Sequence, residues 1–191
     1  VVRDVDGLKR KAEEGRITAA EMAQVVAAIE GGAAGTHLVQ LLGVVGRAGR
    51  PGDAPLLARF LGRREDPDVA AWALHLLGTQ WRRLDLVRET LLEVLPGAGW
   101  DPFGDVQGAA VTAAGVLLSE RQDPELLEAL LDAAVRAEDV HEVRHRGVAL
   151  AVALGDGPRP RVPVRAEMPA WSAALRARAW ERLARERAVR P

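Results

Sequence analysis

The stretch His141-Glu142-Val143-Arg144-His145 matches the pattern H-E-x-x-H. On a helix that spacing puts two imidazoles one turn apart on one face. There they can hold zinc while the carboxylate beside them activates water. A third ligand would have to come from Glu167 or Glu181. The flanking charges oppose this chemistry. Arg144 lies inside the motif and Arg146 follows it, and two cations beside a dication repel it. The expectation is therefore that His141, Glu142 and His145 are solvated polar residues at a helix start, with no metal and no cofactor.

Other reactive groups are scarce. The chain has no cysteine, which removes disulfides, thiolate metal sites and cysteine nucleophiles. Serine occurs only as Ser119 and Ser172, neither within a nucleophile elbow. Gly31-Gly32 and the segment from Gly49 to Gly52 read as inter-helix turns, and no phosphate-binding glycine pattern occurs. No catalytic residue is assigned.

The elements that would position such residues are visible as an internal repeat. Segments starting at His37, Val69 and Val106 each end in a glycine nine positions later (Gly46, Gly78, Gly115). A fourth, from Val143, has Val152 at that place. Each follows another amphipathic stretch: Thr18–Glu30, Asp53–Leu61, Leu84–Leu95 and Pro124–Ala137. Thr18 with Glu21 makes a capping box, and Asp66-Pro67, Asp101-Pro102 and Asp123-Pro124 mark helix starts. These signals predict an all-α chain of one domain. Four helical hairpins span about 17–49, 53–80, 84–119 and 124–155. A charged lead-in helix, Leu8–Glu14, precedes them. A Pro-rich linker, 156–168, separates them from a C-terminal helix, 169–188, whose Trp171, Leu175, Ala179 and Leu183 form a capping stripe. Arg161–Arg165 is the one weak strand-like stretch.

The run from Asp53 to Leu61, then Asp66-Pro67-Asp68-Val69-Ala70-Ala71-Trp72-Ala73-Leu74 and Leu77-Gly78, resembles a HEAT repeat of the Armadillo-like α-solenoid family. Val143-Arg144 extends the resemblance to the fourth hairpin. It covers most of residues 17–155. It implies an α-α superhelix whose second helices line a concave face, and a scaffold or adaptor that binds a protein partner there. The repeat register then predicts the lining: Gln40, Arg47, Asp68, Trp72, His75, Asp105, Thr112, Glu142 and Arg146. Trp72 and Arg146 are of the types that anchor interfaces. Trp72 packed between repeats, and Asp68 and Asp105 acting only as first-turn acids, are the structural alternatives. Two enzyme readings stand beside the scaffold. HEAT-like iron hydroxylases use His-Glu pairs on successive repeats, and here only His141-Glu142 qualifies. A HEAT-like DNA glycosylase would use residues of the types Trp72, Asp68 and Arg146.

Composition limits the partner. The formal net charge is −1, without the basic excess that phosphate binding calls for. From residue 159 onward, however, nine arginines face three glutamates, which read as a solvated helix face or a contact for an acidic partner. Arginine, alanine, glycine and valine bias fits a GC-rich, bacterial coding sequence. No apolar run reaches spanning length and no signal peptide is visible, so the expectation is a cytoplasmic protein with no membrane contact. The first residue, Val1, fits a trimmed N-terminus.

Overall fold

The structure, a computed structural model, describes Val2 and residues 4–188. Val1 and Arg190, the last of the nine C-terminal arginines, lie outside the described residues. Among these residues the chain is 72% helical and has no strand, so Arg161–Arg165 is not one. The helices are α1 (Val5–Glu13), α2 (Ala19–Glu30), α3 (Gly35–Ala48), α4 (Ala54–Ala58), α5 (Pro67–Leu74), α6 (Leu84–Val94), α7 (Asp105–Glu120), α8 (Pro124–Val135), α9 (Val140–Ala153) and α10 (Met168–Ala188). A π-helical run, His75–Gln80, continues α5.

Local sequence explains most starts. Thr18 accepts from the Glu21 amide at 3.2 Å, and the Glu21 carboxylate accepts from the Thr18 amide at 2.9 Å. Lys11 adds a charge-assisted bond to Glu21 at 2.5 Å. That bond, with those donated by the Thr18 amide and by the Thr18 hydroxyl (2.9 Å), holds the Glu21 carboxyl down at about 2. Asp66 and Asp123 cap α5 and α8, with proline next in each case. Asp101-Pro102 behaves differently. Helix α7 begins later, after Gly104 in the left-handed region (φ 75°), yet Asp101 still reaches the Gln107 amide at 2.9 Å. The aspartate satisfies an orphan donor of the first turn from outside the helix. The predicted helix Asp53–Leu61 is also shorter. After Ala58 the chain turns with i→i+3 bonds, and Phe60 and Leu61 are buried in that turn.

Helices α1, α3, α5, α7 and α9 touch in that order, forming one layer, while α2, α6 and α8 pack behind their hairpin partners. The lead-in α1 thus sits beside α3 in the same layer. The repeated glycine marks the closest approach between neighbours. A Cβ on Gly46 would meet Leu76, one on Gly78 would meet Ala113, and one on Gly115 would lie 2.6 Å from the Ala149 carbonyl oxygen. Small residues there let consecutive helices of this layer approach more closely than a side chain permits. At the far end Trp171 of α10 lies on Gly147, and Leu175, Ala179 and Leu183 are buried against α8 and α9.

Arginines fasten this end. Arg182 donates to the carbonyls of Ala153 (2.5 Å), Leu118 (3.0 Å) and Arg121 (3.1 Å), and to buried Glu186 (2.5 Å). It satisfies acceptors at the C-terminal ends of both α7 and α9. Arg178 forks onto Asp156 at 2.9 and 2.7 Å, and Arg187 pairs with Glu128. These three members of the C-terminal basic cluster are engaged by the fold itself.

Candidate functional site

The residues singled out by the register lie on α3, α5 with its π-helical run, α7 and α9, but the fold does not treat them alike. Trp72 is half-buried, with its ring stacked on His75 at a centroid distance of 5.3 Å and 24° between planes. Its indole approaches the position of Gly43 on α3, and its Nε1 is buried without a hydrogen-bond partner. Burial holds the His75 imidazolium below its usual pKa. Arg47 stands next to this pair, bonded to Glu13 of α1 at 2.6 Å and to the Gly43 carbonyl at 3.1 Å. Gln40 is half-buried on the same helix. Asp68 and Asp105 are exposed acids in the first turns of α5 and α7, where they complement the helix dipole.

Arg146 departs from the expected exposed anchor. It is 8% exposed and turns back toward α8, donating to the Ala133 carbonyl at 2.8 Å and to Gln107 Oε1 at 3.3 Å, with Glu142 at 3.2 Å. The reason is accounting at a helix end. Ala133 lies in the last turn of α8, whose carbonyls have no intrahelical donor, and a guanidinium has donors to spare. Glu142 is likewise occupied, accepting from the Glu138 amide at 3.0 Å. It works at the start of α9 together with the cap Asp139, which takes the His141 and Glu142 amides at 2.7 and 2.9 Å. Those bonds lower the Asp139 pKa.

The H-E-x-x-H residues are thereby separated in role. His141 is exposed and Glu142 belongs to the helix start. His145 Nε2 meets Thr112 Oγ1 at 3.0 Å, across from α9 to α7. Thr112 also donates to the Gly108 carbonyl at 3.1 Å. A hydroxyl has one hydrogen, so both bonds form together only when His145 Nε2 carries a proton and donates. Burial first, and the Arg146 guanidinium second, favour the neutral ring. In the neutral ring this makes His145 the Nε2–H tautomer, with Nδ1 an acceptor. Among the described residues, no group of three or more His, Asp or Glu is placed to hold a metal ion.

The His145–Thr112 pair borders a cavity of about 470 Å³ at the C-terminal half of α7 and α9. Val116, Val148, Ala149, Val152 and Pro158 supply its apolar lining, and Gly155 and Gly157 bring the following loop over it. Arg82, from the turn after the π-helical run, pairs with Glu120 at its rim. Arg82 is the one non-glycine residue with positive φ (53°) among the described residues. Such backbone strain persists where surroundings over-determine it and is concentrated at functional sites. Ser119 donates to the Val116 carbonyl at 2.6 Å.

Of this lining the register pointed to Thr112 alone; Val148, beside it, is half-buried. Arg82 and Glu120 carried no sequence signal, being 38 residues apart and outside the repeat register. A second cavity, of about 380 Å³, lies between the start of α9 and the start of α10, with Arg165 and Arg176 opposite Glu138 and Asp139.

Compared with protein-family models, with curated proteins and with solved structures, the chain matches none. Its class rests on its own features: an all-helical chain in which no helix among the described residues is long and apolar enough to cross a membrane.

Proposed function

We propose that this protein is a HEAT-like α-solenoid module, without catalytic activity of its own, that binds a protein partner across the face formed by α3, α5, α7 and α9. The observation that carries the reading is the ordered layer itself. Consecutive helices α3, α5, α7 and α9 lie side by side and carry the half-buried side chains Gln40, Trp72, His75, Thr112, Val116 and Val148, which the reading assigns to one face. A face that mixes an aromatic, an imidazole and aliphatic side chains has the composition of an interface core rather than of a solvated surface. The net charge of −1 and the internal use of Arg178, Arg182 and Arg187 favour a protein over a nucleic acid.

The test is affinity capture from nuclease-treated lysate of source cells, with wild type beside a His75→Asp/Val116→Asp variant and a Val135→Asp control. Val135 is an exposed residue at the end of α8. All three must retain the helical circular-dichroism spectrum. A protein held by wild type and control but lost by the face variant supports the reading. Equal capture by all three excludes this face. An enzyme reading would instead need metal in the purified protein or salt-sensitive DNA retention.

A further inference from the structure

We infer that the cavity between α7, α9 and the 155–158 loop is a binding site for a small apolar molecule bearing a hydrogen-bond-donor head, a primary amine being the best match. The cavity shares Thr112, Val116 and Val148 with the proposed partner face, but ligand titration into the isolated chain tests it without the partner.

The cavity has the volume and lining of a small-molecule site: about 470 Å³, mostly aliphatic, with a few convergent polar groups. The direction of its hydrogen bonds selects the ligand. Thr112 gives its hydrogen to the Gly108 carbonyl. Ser119 gives its hydrogen to the Val116 carbonyl. His145 gives its Nε2 proton to Thr112. These three polar groups have spent their protons inside the protein and keep lone pairs. Arg82 is the exception, but its charge is already matched by Glu120, and its side chain is 54% exposed, so water serves its remaining N–H groups. The cavity therefore offers acceptors and a mutually neutralised Arg82–Glu120 pair beside an aliphatic wall. An apolar amine donates to these acceptors, whereas a carboxylate of the same shape meets uncapped lone pairs.

The probes are 2-phenylethylamine and 3-phenylpropionate, titrated into the purified full chain and read by protein NMR chemical-shift changes. The amine is expected to bind with Kd on the order of 1 mM, as a fragment-sized ligand does. It should shift Thr112, Val148 and Val152 resonances and bind at least tenfold more tightly than the acid. Glu120→Gln, which leaves Arg82 without its counter-charge, should reverse the preference. Val148→Trp, which fills the cavity from a half-exposed position, should weaken the amine at least tenfold. Should Val148→Trp fail to fold, Val152→Phe makes the same test from the next turn of α9. The inference is overturned if the amine produces no shifts at the cavity, if the acid binds wild type equally well, or if Glu120→Gln leaves the preference unchanged.

Discussion

Helix α7 contains two glycines, Gly108 and Gly115, and exchanging each for alanine should move stability in opposite directions. Intrinsic propensity favours alanine over glycine in a helix interior by about 1 kcal/mol at either place. At Gly108 a new Cβ finds only His145 Cε1 nearby, at 3.7 Å, an ordinary contact. The propensity gain survives, and Gly108→Ala should stabilise by about 0.5–1 kcal/mol. At Gly115 the new Cβ would stand 2.6 Å from the Ala149 oxygen, 3.0 Å from its Cα and 3.1 Å from its carbonyl carbon. All three are backbone atoms of the neighbouring helix, so no side-chain rotation relieves the clash and α9 itself must move. Overpacking of this kind costs about 1–3 kcal/mol, which exceeds the propensity gain. The net expectation is a loss of about 1 kcal/mol for Gly115→Ala and a larger loss for Gly115→Val. For a chain of this size 1 kcal/mol corresponds to about 2–4 °C in Tm. Differential scanning calorimetry should place the two alanine variants on opposite sides of wild type. A Gly115→Ala protein as stable as wild type, or more so, would refute the close approach of α7 and α9.

Arg182→Ala should cost about 3 kcal/mol, because it leaves buried Glu186 without its cation and three carbonyls without a donor; urea unfolding measures this, and a loss below about 1 kcal/mol would contradict the arrangement. Arg146→Met should also destabilise, by about 2 kcal/mol, since it strips donors from Ala133 and Gln107; a folded variant with unchanged Tm would return Arg146 to the surface. The Glu21 carboxyl titrates at about 2 against an ordinary 4.5, so the cap of α2 contributes fully above pH 4.5 and is lost as pH falls toward 2; carboxyl NMR should find this value in wild type and a higher one in Lys11→Met. His145 has a depressed folded pKa, so its contribution is complete above about 6.5 and declines as pH falls through the lower folded value; imidazole NMR of Thr112→Val, which lacks the hydroxyl partner, should report a changed Nε2 environment.

Features set by neighbours along the chain were legible in the sequence. The Thr18–Glu21 box, the Asp-Pro starts of α5 and α8 and the amphipathic helices depend on residues a few positions apart. The recurring glycine was legible as a pattern, and its contacts with Leu76, Ala113 and Ala149 supply the physical cause. Where long side chains end was not legible. A register gives the angle at which Arg146 leaves α9, but not the pull of an unsatisfied carbonyl on α8. The Asp53–Leu61 pattern suggested a longer helix because burial of Phe60 and Leu61 looks the same in sequence whether they sit in a helix or a turn. The cavity was missed for a related reason. It joins a pair bridging α7 and α9 to a pair bridging residue 82 and residue 120, and neither pairing is periodic.

The π-helical run after Leu74 has a consequence for any attempt to treat the hairpins as exchangeable parts. An i→i+5 turn takes up one residue more than an α-turn, and one residue is about 100° of rotation. Trp81, whose indole donates to the Gly46 carbonyl at 3.0 Å, and Arg82, which reaches Glu120, stand where that extra rotation aims them. A chimera carrying the uninterrupted α7 sequence in place of α5 would keep the apolar pattern and the glycine. It would nonetheless turn both side chains away from their partners, so the second hairpin is keyed to its place in the order and cannot be transposed.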